Sequence, residues 1–180
     1  MATAKKVSAP APMKTGTVDT RKELFAAIDA IASRGGITRD RAITAWYAAT
    51  LLGIDEDEAI DAATVDGPED NGCDFIYVDP ENETIYVLQG YASDRPDRPA
   101  SIRKWNALVA AVASVRDPVS FQHSGRADIY ALLQDPEAQN YSLIFGLVTL
   151  AAKSDQIARQ REATVRSKTY LISNQPQQFE

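Results

Sequence analysis

Two short stretches near the middle of the chain alternate between apolar and polar side chains, which is the pattern of strands with one buried face. In the first stretch Asp74 begins a stripe that continues with isoleucine and valine, and in the second Gln89 and Tyr91 end a similar stripe. The Asp-Pro-Glu-Asn sequence at 79–82 carries residues that favour a tight turn. The pattern predicts an antiparallel hairpin whose open end brings the side chains of Asp74 and Gln89 close together.

Apolar residues recur at helical spacing on both sides of this hairpin. Ser, Thr and Asp residues begin most of these segments, and their side chains accept hydrogen bonds from the free N–H groups of a first helical turn. The acidic residues at 55–57 are interpreted as such a helix start rather than as a metal site. The sequence predicts helices with the following bounds: Thr20 to Gly35, the Thr38 cap to Gly53, the Asp55 cap to the break at 66–68, the Ser101 cap to Val115, Arg126 to Leu133, and the Ser154 cap to Lys168.

Two further segments complete the predicted sheet. The nearly continuous apolar run Tyr141–Ala151 predicts a strand buried on both faces, at the centre of the sheet, and Tyr170–Ser173 predicts a final strand. The long connection into the apolar run implies parallel pairing there. The order of elements predicts an α/β fold with a mixed central sheet flanked by helices and an N-terminal helical segment. Residues 1–18 are expected to form a flexible leader, and residues 19–180 a single domain.

The polar residues of the hairpin resemble the site of the PD-(D/E)xK nuclease superfamily, in which an Asp opens one strand and a Glu or Gln stands on the next, two residues before a Lys. Asp74 and Gln89 match the first two positions, whereas Tyr91 stands in place of the Lys. The resemblance implies a restriction-endonuclease-like fold and a Mg²⁺ ion bound by Asp74 and Gln89. Because an amide adds no negative charge, we expect Asp70 or an acid of the N-terminal helices to be a further ligand.

A wider segment, from Arg39 to Ser93, resembles a particular family. The strings W-Y-A-A-T-L-L-G-I-D-E-D-E-A-I-D-A-A and D-N-G-C-D-F-I-Y-V-D are similar to the N-terminal part of the AIPR family, proteins of bacterial abortive infection and phage resistance. This resemblance implies a role in phage defence. Proteins of that family are much longer, so one interpretation of this chain is an N-terminal fragment of a longer protein.

The missing lysine separates two functional hypotheses. A Tyr side chain is neutral at pH 7, so Tyr91 does not stabilise a hydroxide as an ammonium group would. One hypothesis is a Mg²⁺-dependent nuclease with Asp74, Gln89 and Tyr91 as catalytic residues and very low or absent activity. Lys104 or Arg103 on the following helix is an alternative source of the charge. The other hypothesis is an inactive nuclease-fold module used for binding or assembly. Taken singly, Asp74 and Gln89 also fit a structural role at the start and end of a strand.

Charge and composition limit which partners and which cellular compartment we expect. The net charge is −6, and the segment Asp55–Glu83 holds twelve carboxylates and no Lys or Arg, whereas basic residues concentrate in residues 1–41 and 153–168. We therefore expect only weak binding of DNA or RNA, at the ends of the chain. The apolar runs are too short for a membrane span, and one cysteine with one histidine fits a cytoplasmic protein without disulfides. Other expected partners are the remainder of a longer chain and further copies of the same chain.

Overall fold

A three-stranded mixed sheet with helices on both faces organises the part of the chain that a computed structural model describes, residues 20–64, 73–115, 118–122 and 127–167. A π-helical segment, Ala48–Leu52, prolongs the second helix, and short 3₁₀ segments lie at Pro118–Phe121 and Ala138–Asn140. The main elements are α1 (Thr20–Gly35), α2 (Arg39–Tyr47), α3 (Glu56–Ala63), β1 (Phe75–Asp79), β2 (Thr84–Tyr91), α4 (Ile102–Val115), α5 (Ala127–Leu133), β3 (Ser142–Thr149) and α6 (Asp155–Ser167).

The strand order is β1-β2-β3, with β1 antiparallel and β3 parallel to the central strand. Phe75 pairs with Leu88 at one end of the hairpin and Asp79 with Thr84 at the turn. The predicted α/β class, the hairpin, the parallel crossover and the N-terminal helix are confirmed. They follow from local signals, because turn residues fix the hairpin and a long helical connection returns the chain to the same end of the sheet, so that β3 runs parallel to β2.

Each sheet face carries its own apolar core. On one face Phe75 and Leu88 pack with buried residues of α1, α2 and α3, including Ile28 and Ile43. On the other face the next pair of the hairpin, Ile76 and Val87, packs with residues of α4, α5 and α6, including Trp105, Leu108, Ile129 and Ile157. Burying one large aliphatic side chain stabilises the fold by about 1.5–3 kcal/mol. The two cores hold α2 and α4 against opposite faces of β2.

Two of the predicted helix starts are confirmed by cap contacts. Thr38 Oγ1 accepts a hydrogen bond from the Arg41 N–H at 3.4 Å, and Asp55 Oδ1 accepts one from the Asp57 N–H at 2.9 Å. Gly53, with φ 75°, ends the π-helical segment in the left-handed conformation that favours glycine. The acidic residues at 55–57 therefore start a helix, as interpreted. Within the described ranges no helix is both long enough and apolar enough to cross a bilayer.

Within the described sheet, Tyr141–Ala151 does not take the central position that the sequence predicts. β2 takes the central position, and β3 pairs with β2 alone among the described strands. β3 is half-exposed along most of its length, with Ile144 49% exposed. An apolar run shows that a strand has contacts on its faces, but it does not show how many strands flank it. The predicted leader at 1–18, the break at 66–68 and the strand Tyr170–Ser173 lie outside the described residues.

Candidate functional site

The candidate site forms where β2 runs past the start of β1. The last residue of β2 that pairs with β1 is Leu88, so the next three residues pair with β3 alone among the described strands. On the side that β1 no longer covers, the N–H of Gly90 donates to Asp74 Oδ2 at 2.9 Å, and the N–H of Ala92 donates to Asp40 Oδ1 at 2.8 Å. Buried backbone N–H groups need acceptors, so the overhang of β2 holds two carboxylates side by side.

Asp74 and Gln89 meet at this overhang, as the strand pattern predicts. Gln89 Nε2 donates a hydrogen bond to the Oδ2 of Asp74, the same atom that accepts from Gly90. Both residues are buried, with 7% of Asp74 and 5% of Gln89 exposed. The amide oxygen of Gln89, Oε1, is buried and has no hydrogen-bond partner among the described residues. The amide therefore fixes the Asp74 carboxylate and keeps an unused buried acceptor.

A lysine lies between the two carboxylates. Lys104, in the first turn of α4, places its Nζ 2.8 Å from Asp40 Oδ2 and 3.5 Å from Asp74 Oδ2. Asp40 comes from the first turn of α2, on the opposite face of the sheet. α4 thus places a positive charge beside both carboxylates. Of the two positions considered as substitutes, Lys104 enters the cluster, whereas Arg103 is exposed on the same helix.

Burial and neighbouring charges change the pKa values of Asp74 and Lys104. Burial raises the pKa of Asp74, with a further rise from the charge of Asp40, while Lys104, the Gly90 N–H and Arg41 act in the opposite direction. Burial alone would lower the pKa of Lys104, but its hydrogen bond to Asp40 and the charge of Asp74 outweigh that effect and raise it. Lys104 therefore keeps its charge at neutral pH.

The remaining predicted site residues are Tyr91 and Asp70. Tyr91 is half-buried and packs against the apolar core under α4, and in the described part of the chain no hydrogen bond joins its side chain to Asp74, Gln89 or Lys104. Its catalytic role stays a prediction without a contact to support it. Asp70 lies outside the described residues.

The cluster offers a cation two carboxylates and an amide. Within residues 20–64, 73–115, 118–122 and 127–167, no three His, Cys, Asp or Glu side chains are grouped as metal ligands. A divalent ion bound to Asp40 and Asp74 would therefore complete its coordination with neutral oxygens or water, as Mg²⁺ commonly does. The same two carboxylates already share one cationic group, the Lys104 ammonium.

An acid of the N-terminal helices is expected beside Asp74 and Gln89, and Asp40 of α2 lies there, although the sequence does not single it out by number. An acidic residue in a first helical turn is favoured by the helix dipole, so Asp40 looks the same in the sequence as any helix-start acid. A signal for its position lies in Gly90, because a glycine inside a strand often marks the close approach of another backbone.

Comparison of the chain with models of protein families, with curated proteins and with solved structures finds no match.

Proposed function

We propose that this chain is a PD-(D/E)xK nuclease-like domain that hydrolyses phosphodiesters with Mg²⁺, and that Lys104 replaces the lysine missing from the strand motif. The observation that carries the proposal is the position of Lys104 Nζ, 2.8 Å from Asp40 and 3.5 Å from Asp74. An ammonium at this place does what the motif lysine does, because it brings a fixed positive charge to the metal-binding carboxylate.

The residues present fit a divalent cation. One positive group already bridges Asp40 and Asp74, so the spacing of these carboxylates suits a shared ion. The unpartnered Oε1 of Gln89 would be a further oxygen ligand at the same end of the strand. A bound Mg²⁺ supplies positive charge that lowers the pKa of a coordinated water and stabilises charge on the phosphate.

Each side chain then has a defined task. Asp74, held by the N–H of Gly90 and the amide of Gln89, presents an oriented carboxylate that is largely shielded from water. Asp40 supplies the second negative charge from α2. Lys104 keeps its proton at neutral pH, so it attracts a phosphate oxygen and stabilises a hydroxide beside the carboxylates.

The substrate and biological role are part of the proposal. Exposed cations Arg159, Arg161 and Arg166 on α6, with Lys153 before it, support weak contact with the phosphates of DNA or RNA. The similarity of Arg39 to Ser93 to the AIPR family supports a role in bacterial phage defence, as one part of a longer protein. The single cysteine supports a reducing, cytoplasmic compartment.

A second candidate function is an inactive nuclease-fold module for binding or assembly. It is favoured by the ion pairs themselves, because Lys104 already neutralises charge on both carboxylates and the described residues offer no third acidic ligand. In that case the cluster joins the first turns of α2 and α4 to the end of β2 and serves the fold alone.

Nicking of supercoiled plasmid with Mg²⁺ or Mn²⁺ tests the proposal. The unmodified chain should nick the plasmid, and Asp74→Asn and Lys104→Met should each lower the rate by about 10² or more, since removing one group that stabilises charge in the transition state costs on that scale. Lys22→Met, which changes an exposed lysine of α1, is the matched control and should leave the rate unchanged.

Three outcomes decide between the candidates. No cleavage by the unmodified chain supports the inactive module. Cleavage that survives Asp74→Asn shows a contaminating nuclease and removes the proposal. Cleavage that needs Asp74 but is unaffected by Lys104→Met contradicts the role given to the lysine.

A further inference from the structure

The backbone of α2 lies against β2 at Gly90 without room for a side chain. A Cβ atom added to Gly90 would lie 1.7 Å from the carbonyl oxygen of Asp40 and 2.7 Å from its carbonyl carbon. These atoms belong to the helix backbone, so they cannot rotate away as a side chain would. An ordinary contact between a carbon and a carbonyl oxygen needs about 3.3 Å. Any side chain at position 90 must therefore push the first turn of α2 outward by roughly 1.6 Å, the difference between these distances.

That first turn carries Asp40. Its carboxylate is held by the N–H of Ala92 and by Lys104, both at 2.8 Å. Asp74 does not move with α2, because it precedes β1 and is held by the N–H of Gly90 itself. Displacing the helix would thus separate the two carboxylates, while each stays attached to its own element.

We propose that Gly90 is a positioning residue that sets the spacing of Asp40 and Asp74, and with it the ability of the pair to share one cation. Gly90 acts through Asp40 and touches no substrate. The part of this proposal that concerns metal rests on the proposed function, whereas the part that concerns the position of Asp40 does not.

A glycine of β3 provides a matched control. A Cβ added to Gly146 meets no atom within 4 Å, and Gly146 pairs with Leu88 in the same sheet. Gly146→Ala therefore makes the same chemical change in a strand without moving a helix. A difference between Gly90→Ala and Gly146→Ala reports the contact with α2 and not the loss of glycine from a strand.

The first arm of the experiment needs no metal. Hydrogen exchange of the Ala92 amide, measured by NMR, reports whether Asp40 still accepts its hydrogen bond. We expect faster exchange in Gly90→Ala and in Asp40→Ala, and unchanged exchange in Gly146→Ala. Protection of Ala92 at the unmodified level in a folded Gly90→Ala protein would overturn the proposal.

The second arm measures Mn²⁺ affinity by calorimetry and includes a rescue. Gly90→Ala should weaken binding by about tenfold or more, which is common when a residue that orients metal ligands is changed. Adding Asp40→Glu extends the carboxylate by one C–C bond, about 1.5 Å, which matches the displacement of the helix. The double variant should bind more tightly than Gly90→Ala, although Asp40→Glu alone should bind more weakly than the unmodified chain.

The outcomes separate this inference from the proposed function. If the unmodified chain binds no Mn²⁺, the metal site fails, and exchange at Ala92 still decides the position of Asp40. If Gly90→Ala binds Mn²⁺ as tightly as the unmodified chain, the positioning role is wrong. If Gly90→Ala loses affinity and Asp40→Glu recovers none of it, Gly90 serves the packing of α2 alone and the inference fails.

Discussion

Replacing Lys104 with Met should destabilise the fold in a way that depends on pH. Met keeps an apolar stem of similar length and removes the ammonium between Asp40 and Asp74. Removing one partner of a fully buried ion pair costs about 3–5 kcal/mol. Here the side chains of Lys104 and Asp40 are 27% and 34% exposed, so solvent screens part of the ion-pair energy and the loss is smaller. We expect a decrease of about 1–3 kcal/mol in the free energy of unfolding at pH 7.

The direction of the pH dependence follows from Asp74. Its pKa is raised in the folded protein, chiefly by burial, and Lys104 opposes that rise. A carboxyl with a raised folded pKa destabilises the fold increasingly as pH rises above its unfolded pKa, because the folded state then loses a proton that it binds more tightly. Removing Lys104 raises that pKa further, so the loss of stability should be smaller near pH 4 than at pH 7.

Urea unfolding followed by circular dichroism at both pH values measures this effect. Lys22→Met is the control, since it removes an exposed lysine of α1 and should change the unfolding free energy little at either pH. An equal loss of stability at pH 4 and pH 7 for Lys104→Met would refute the reasoning, because it would show that lost packing and not lost charge causes the change.

Two further predictions concern the site and the basic helix. Gln89→Glu should tighten Mn²⁺ binding in calorimetry, because it adds a third negative charge, and unchanged affinity would show that Gln89 is not a ligand. In the presence of a chelator the same change should lower the unfolding free energy, because the hydrogen bond to Asp74 becomes a repulsion between carboxylates. Binding of duplex DNA, measured by fluorescence anisotropy, should weaken steeply between about 50 mM and 200 mM salt. The Arg159→Ser variant should bind DNA more weakly than the unmodified chain. Equal affinity at the two salt concentrations would contradict the phosphate contacts assigned to α6.

The sequence predicts well those features that short stretches of chain determine. The caps at Thr38 and Asp55 and the turn at 79–82 are decided by residues within a few positions of each other. The meeting of Asp74 and Gln89 also belongs here, because strand parity and a tight turn fix which side chains share a face.

Features that depend on contacts distant in sequence are predicted only in part, because Lys104 is one of two alternatives and Asp40 is one unnamed acid of the N-terminal helices. Asp40 and Lys104 are 64 residues apart, and each looks like an ordinary residue of a first helical turn. They meet because two separate cores hold α2 and α4 against opposite faces of β2. The place of β3 at the edge of the described sheet has the same cause, since the number of strands beside it depends on the whole chain.

Paramagnetic broadening by Mn²⁺ tests the central claim most directly. The amides of Gly90 and Ala92 are bonded to the two carboxylates, so an ion shared by Asp40 and Asp74 must lie close to both. We predict that substoichiometric Mn²⁺ selectively broadens the NMR signals of these two amides, and that Asp74→Asn abolishes the effect. Uniform broadening of all signals would contradict a metal site at the end of β2. So would unchanged signals at Gly90 and Ala92 together with broadening of the signals at the acidic start of α3.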